Sequence, residues 1–399
     1  MSLCSGVVGA PRIVAMTTTI RLRGPADIIT VLPYHLGYRP ADSLVVVCLR
    51  ANRIGVVGRV DLPPPEIDPD LVAVELLPVV ARERPDAVVL IGFETDAGQA
   101  EPASVAMRDA IRSAGIRVLD RLLVRDGRWW SLDCDDDCCP AEGEAVQGDD
   151  EVPAVADYIV RGRRPASSRA ELAGRLQSQP DSAQETRCAA FLHDLRTART
   201  SRTTLQRRRR RMLQAWACIL DLSPAGPDAV ARPAPARGHE AWAWAVVSLV
   251  DVSVRDLLIA WMCPGTLDLS VFPASLRRLA EAELPSRRDI LGWAGVDVGS
   301  VGSGEFGGGD GRATDAIDEP ADDGAHEGLV DRLAMVCRQA PSELSPGPLT
   351  VLAHVVWWLG DGALARTALD RALEVDPDYR LAMLLGRMVD VAVRPRASA

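Results

Sequence analysis

The chain has 399 residues, 45 basic and 55 acidic side chains, a net charge of −10 and 47% hydrophobic residues. That length predicts two or three domains, and the composition excludes wholesale disorder and collagen-like sequence. Every basic residue is arginine, which removes Schiff-base catalysis and Walker-type phosphate binding, since both need lysine. No window approaches about 18 uninterrupted apolar residues, so no membrane span is expected. The net acidity argues against general affinity for nucleic acid.

Residues 1–17 are expected to form a flexible extension. Arg12 follows the apolar stretch instead of preceding it, which makes a poor signal peptide, and the chain reads as cytoplasmic. Residues 18–132 have α/β rhythm. Pro25 opens a helix continued by Ala26–Leu32. Leu44–Leu49 is a β-branched apolar run that reads as a central strand, and Ile54–Leu62 follows closely enough to make an antiparallel hairpin. Pro69–Arg84 reads as a helix, Ala87–Phe93 as a buried strand, Pro102–Ala114 as a helix and Ile116–Val124 as a strand. Asp126-Gly127 is a two-residue turn signal leading into Arg128–Leu132. The expected product is an α/β domain around a mixed sheet.

Residues 133–152 form an acidic turn: Asp133–Glu151 holds nine acidic residues, no arginine and three of the nine cysteines. Residues 153–298 read as helical, with candidates at Ala154–Arg161, Arg169–Gln177, Ala183–Leu222, His239–Val247 and Val254–Met262. Residues 299–328 are Gly-rich and acidic and are expected to be a disordered loop. Residues 329–395 are the best patterned. Pro348–Leu359, Ala363–Val375 and Asp378–Val391 read as three helices, the second with a broad apolar stripe through Leu364, Ala368, Leu369 and Ala372. Their turns and small residues suggest one and a half tetratricopeptide-like units, so the fold class is an α/β domain followed by an all-α half.

Several blocks together resemble one family. They are Pro33-Tyr34-His35-Leu36-Gly37-Tyr38-Arg39-Pro40 with Asp42-Ser43-Leu44, and Arg59-Val60-Asp61-Leu62-Pro63. A third is Gly127-Arg128-Trp129-Trp130-Ser131 running into Cys134, Cys138, Cys139 and Pro140, with Glu142-Gly143 behind. The last are Gly360–Ala365 and Asp376–Tyr379. From about residue 18 to 395 the chain resembles the domain-of-unknown-function 4192 family of high-GC Gram-positive bacteria. The resemblance implies an intracellular bacterial protein and no assigned activity. His35 departs from the aliphatic residue more usual at its position, which argues against a shared ligand role.

Cys134-x3-Cys138-Cys139 is the sharpest local feature. Three thiolates on one turn can supply three ligands, and zinc is the metal such a site would take. A fourth ligand would have to come from afar, for example Cys48 or an aspartate. The same spacing allows a disulfide, or inert packing, and the surrounding carboxylates should raise the thiol pKa values. Arg59 and Asp61 leave one face of a strand and would hold a polar ligand or pair with each other. Asp42 and Ser43 precede the central strand as a turn residue and a potential nucleophile, and Trp129 completes the ligand-binding candidates. Glu94 and Asp96 follow a strand's carboxyl end, where open α/β sheets take ligands.

Arg161–Arg211 holds fourteen arginines against four acids and ends in the run Arg207–Arg211. It reads as a solvated or internally compensating face, with association to nucleic acid as a lesser alternative. Trp242, Trp244, Trp261, Trp357 and Trp358 read as helical core. No catalytic constellation is complete. The chain is therefore expected to be a non-catalytic binding or scaffolding protein that meets a protein partner through its helical half. The rival is an enzyme with a metal- or thiol-dependent site at Cys134, Cys138 and Cys139.

Overall fold

In the computed structural model, residues 24–50, 53–134, 140–160, 163–197, 201–220, 238–287, 290 and 323–390 are described. The sequence's apolar runs become the central strands of a mixed six-stranded sheet. Its strands are β1 (Ser43–Arg50), β2 (Arg53–Asp61), β3 (Ala87–Phe93), β4 (Val118–Arg125), β5 (Arg128–Ser131) and β6 (Glu144–Ala145), in the order β2-β1-β3-β4-β5-β6. β1 pairs antiparallel with β2 and β3, β3 and β4 are parallel, and β5 and β6 are added antiparallel. The expected strands are all present. β6 is an addition, two residues inside the stretch read as an acidic turn, and too short to show an alternating pattern.

All seven residues of β3 are buried, so the sheet is covered on both faces. Leu44, Val46, Cys48, Val88 and Leu90 pack against α2 (Asp70–Glu83) and α3 (Glu101–Ser113). Val45, Val47, Val89, Ile91 and Phe93 pack on the other face against α1 (Pro25–Leu36). α1 does not stop at Leu32 as expected. It runs on through Pro33, burying Tyr34 and Leu36, and ends at Gly37, whose φ of 72° is left-handed. Gly92 sits where α3 begins: a Cβ there would lie 2.7 Å from that of Ala100, so only glycine allows this approach.

The remaining helices are α4 (Pro153–Val160), α5 (Arg169–Gly174), α6 (Ser182–Thr197), α7 (Arg202–Leu220), α8 (Gly238–Ser248), α9 (Val252–Met262), α10 (Ala274–Glu283), α11 (Asp323–Gln339), α12 (Pro346–Trp358), α13 (Gly362–Val375) and α14 (Arg380–Asp390). From α6 onward they share one core, which includes Trp216, Trp244, Trp261, Trp357 and Trp358 and has Trp242 packed against it. The tryptophans are thus core, as expected. α10 was not singled out by the sequence pattern.

The single long helix expected over Ala183–Leu222 is two helices. Ser201 Oγ accepts the Thr204 N–H at 3.1 Å and so starts α7 afresh, as a side-chain cap does. α11 begins at Asp323, inside the stretch expected to be a disordered loop; residues 299–322 and 1–17 lie outside the described residues. The helical half does not stand apart from the sheet. Leu172 of α5, together with Ala363 and Leu364 of α13, packs into the cluster on the α1 face. No helix among the described residues is long and apolar enough to cross a membrane. Gly92→Ala is expected to destabilise the chain by about 1–3 kcal/mol, seen as a lower urea midpoint at unchanged slope.

Candidate functional site

The Pro33–Pro40 block joins three segments. Tyr34 donates its hydroxyl to Asp149 Oδ2 at 2.9 Å, and Arg39 reaches the same oxygen at 3.3 Å. The His35 ring meets the Tyr158 hydroxyl of α4. Beyond Gly37, Tyr38 bridges to Ala166: the Ala166 N–H donates to Gly37 O at 2.8 Å and the Arg39 N–H to Ala166 O at 2.9 Å. Burial, then the bond to Asp149, pushes the Tyr34 phenol up to about 12. Burial, with Arg163 adding a smaller push, holds His35 down to about 4. His35 is therefore a neutral packing partner of Tyr158.

Arg59 and Asp61 lie on β2, where Arg59 pairs across to Val45 and Asp61 to Ser43. Their side chains share the sheet face that carries α1 and bond to each other at 2.5 Å. The pair is the first rung of a longer ladder. Arg169 of α5 lies 3.7 Å from Asp61 and 2.6 Å from Asp370 of α13. Asp370 also holds Arg366 at 2.9 Å, and Arg366 reaches Asp390 of α14. Alternating charges thus run from the sheet edge to the last helix. Tyr38 lies among them: burial raises its pKa, while Arg59 and Arg169 oppose that rise.

Ser43 is fully buried on the same face, and its hydroxyl has no hydrogen-bond partner among the described residues. Among the described residues it therefore has no base of the kind a serine nucleophile needs. Asp42 is a turn residue with φ 41°, and its Oδ1 accepts the Thr95 N–H at 3.0 Å. Phe93 pairs with Ser43, Val124 with Phe93 and Trp129 with Val124, which puts Trp129 three strands away from Ser43. At about 4.8 Å per strand, these two candidates share a face but not a site. The Trp129 indole is buried and its N–H is also without a partner among the described residues.

Glu94 is consumed locally. Its oxygens accept the Gly98 N–H at 3.1 Å, the Ala100 N–H at 2.9 Å and Arg125 at 2.6 Å, which anchors the loop into α3. The cysteine turn is clamped at both ends. Before it, Asp133 takes two bonds from Arg121, at 2.9 and 2.6 Å. After it, the Trp130 indole N–H donates to Ala141 O at 3.1 Å and Arg128 donates to Gly143 O at 2.8 Å. Gly143 has φ 74°, and a Cβ on it would fall 2.4 Å from the Trp130 ring, so glycine is required beneath that indole.

Cys134 is half-buried, while Cys138 and Cys139 lie outside the described residues. Among the described residues no group of three or more His, Cys, Asp or Glu gathers as metal ligands. Cys48, the distant fourth ligand considered from sequence, sits in the apolar cluster beneath α2 and α3, where burial raises its thiol to about 12.

Three arginines of the run are tied to neighbouring helices. Arg209 makes two bonds to Asp251 at 2.9 and 3.2 Å, Arg210 meets Glu283 at 3.0 Å, and Arg208 donates to Asp194 O at 2.8 Å. The run fastens α7 to α6, α9 and α10. Sequence reasoning missed Arg169, Asp390 and Asp149 because their partners lie far along the chain, while Arg366 and Asp370 stand four apart on one helix, a spacing that marks their own pair but not their links to Asp390 and Arg169.

A mixed sheet sealed on one face by its own crossover helices, and on the other partly by the helical half, is the class of protein this fold defines. The chain belongs to the DUF4192 family: the family model, described as a domain of unknown function, matches residues 25–299 and 310–396. No curated protein and no solved structure matches the chain.

Asp370 joins two arginines at a half-exposed seam, so Asp370→Ala is expected to lower stability by about 1 kcal/mol, a loss that shrinks in 1 M salt. His354 on α12 is held down to about 4 by burial, as His35 is, and neither of its ring nitrogens has a partner among the described residues. Folded values below the unfolded one mean that stability is full above about pH 6.5 and falls by about 1.4 kcal/mol per unit per histidine toward pH 4. His354→Leu should therefore lose about 2 kcal/mol less than wild type between pH 7 and pH 5, as read from urea midpoints.

Proposed function

We propose that this chain is a non-catalytic binding or scaffolding protein that engages a protein partner through its helical half. The observation that carries the reading is the fate of the charged side chains a catalytic site would draw on. Arg59, Asp61, Glu94, Arg121 and Arg209 each close an ion pair within the chain. The surface of the last helix supports it from the other side: Met383 and Leu384 of α14 are exposed, Leu384 by 58%. Successive packing of α12, α13 and α14, with Asp361 Oδ1 capping α13 through the Leu364 N–H at 2.8 Å, supports a tetratricopeptide-like array. Reduced, buried Cys48, Cys188 and Cys337 support a cytoplasmic setting.

The second reading is a zinc-dependent site at Cys134, Cys138 and Cys139. The clamps on Asp133, Ala141 and Gly143 favour it, because they fix both ends of the cysteine turn and so lower the entropic cost of gathering its thiolates.

Affinity capture from native lysate is expected to return a reproducible partner with wild type and to lose it with Met383→Glu/Leu384→Glu, folding being checked by circular dichroism. Capture that is unaffected by the double substitution rejects the helical surface. Stoichiometric zinc in chelator-free protein, lost in Cys138→Ser, would move the assignment to the cysteine turn.

A further inference from the structure

The helical half and the α1 face of the sheet keep separate cores. Leu176, Trp216, Leu257, Val355 and Leu385 belong to one cluster of buried residues, and Leu32, Val45, Ile91 and Leu172 to another. Among the described residues, Leu364 is the one side chain packed against both. The two faces of the sheet are also covered unequally. Under α2 and α3, Val72, Leu76, Val80, Met107 and Ile111 are buried against it. On the α1 face the helical half adds buried Leu172 and the half-buried Ala363 and Leu364. Hydrophobic stabilisation scales with the area removed from water, so it holds this seam far less firmly than it holds either core.

Charge does part of the fastening instead. Arg169 of α5, held at 2.6 Å by Asp370 of α13, reaches across to Asp61 of β2 at 3.7 Å. All three side chains are partly open to water, so salt screens them. At a second point Arg163 lies near enough to Asp361, the cap of α13, to oppose the rise that burial gives its pKa. Closing the seam also has a cost. Ser43 Oγ and Arg59 Nε, on the strands beside Asp61, are buried with no partner among the described residues. A contact with little apolar area, screened charges and stranded donors is poised to open.

The chain between the two cores changes allegiance at one peptide link. Ala166 is fastened to the end of α1 by its N–H to Gly37 O and by the Arg39 N–H to its own carbonyl. From Ser167 onward the bonds belong to α5: the Ser167 N–H and hydroxyl donate to Glu171, and Ser168 Oγ accepts the Glu171 N–H. We propose that the helical half, from α5 onward, swings off the α1 face as one body about the Ala166–Ser167 link, with the Arg169–Asp61 pair as its clasp. The movement uncovers Tyr38, Ser43 and Arg59 on one side and Leu172 on the other. It draws on neither Met383 nor Leu384, so it stands or falls apart from the protein-binding reading.

Thiol labelling of the full chain, resolved by peptide mass, tests this. Ser43→Cys and Leu172→Cys each place a thiol on one side of the seam, while native Cys48 beneath α2 and α3 and Cys337 in the helical core report global unfolding. Under native conditions the two introduced thiols are expected to react at a common rate, about tenfold or more above that of Cys48 and Cys337, and faster still in 1 M salt. Adding Asp61→Asn should speed both about threefold and leave Cys48 and Cys337 unchanged, with folding checked by circular dichroism. Arg175→Gln, whose pair with Glu171 stays inside α5, should change none of these rates. Labelling at positions 43 and 172 no faster than at Cys48 would overturn the proposal. So would labelling at 172 alone, which is fraying of α5, or rates indifferent to both salt and Asp61→Asn.

Discussion

Everything in this fold follows from two strands that have no polar face. β1 and β3 are apolar on both sides, so each side of the sheet must be kept from water. Burying apolar surface at roughly 25 cal/mol per Å² is the main favourable term available to such strands. The crossover helices α2 and α3 seal one side with local sequence. The other side has only α1 nearby, and α1 alone does not complete the cover. Leu172, Ala363 and Leu364 complete it from far along the chain. The helical half is therefore part of the sheet's packing as well as a body with its own tryptophan-rich core.

The same constraint explains the fate of the polar candidates. Once α5 and α13 lie on the sheet, the edge residues Arg59 and Asp61 face Arg169 and Asp370, and opposite charges pair instead of waiting for a ligand. The half-exposed rungs contribute little energy one by one, and their effect is to fix register between sheet and helices. Arginine suits the role, since a guanidinium can hold two carboxylates at once and stays charged at any ordinary pH. In the helical half, Arg208, Arg209 and Arg210 do the same work for α7.

What the sequence made legible was local. The run Ala87–Phe93 is a strand to the residue, and Asp126-Gly127 is the turn expected of it. The cap at Ser201 was present in the text but outweighed by an unbroken helical pattern on either side of it. β6 was illegible because two residues carry no period. Among the site candidates, the ion pair of Arg59 and Asp61 was visible from their spacing of two on one strand. Its continuation through Arg169 to Asp370 was not, because 201 residues separate those partners in sequence. Within the Gly127–Ser131 block, Trp129 alone read as a ligand-binding candidate. Its neighbours show Trp130 and Arg128 gripping the far side of the cysteine turn, which explains Gly143 as well.

The segment around Ala166 has a consequence for how the molecule can be divided. Ala166 bridges to Tyr38, Arg169 pairs with Asp370, and Leu172 enters the sheet's own cluster. Within a few residues this stretch serves both halves at once, as a hinge pin serves two leaves. A gene cut just after β5 or β6 would remove it, together with α13, and leave the α1 face of the sheet open to water. The sheet thus shares the cover of its α1 face with the helices that close it, and neither packs fully without the other.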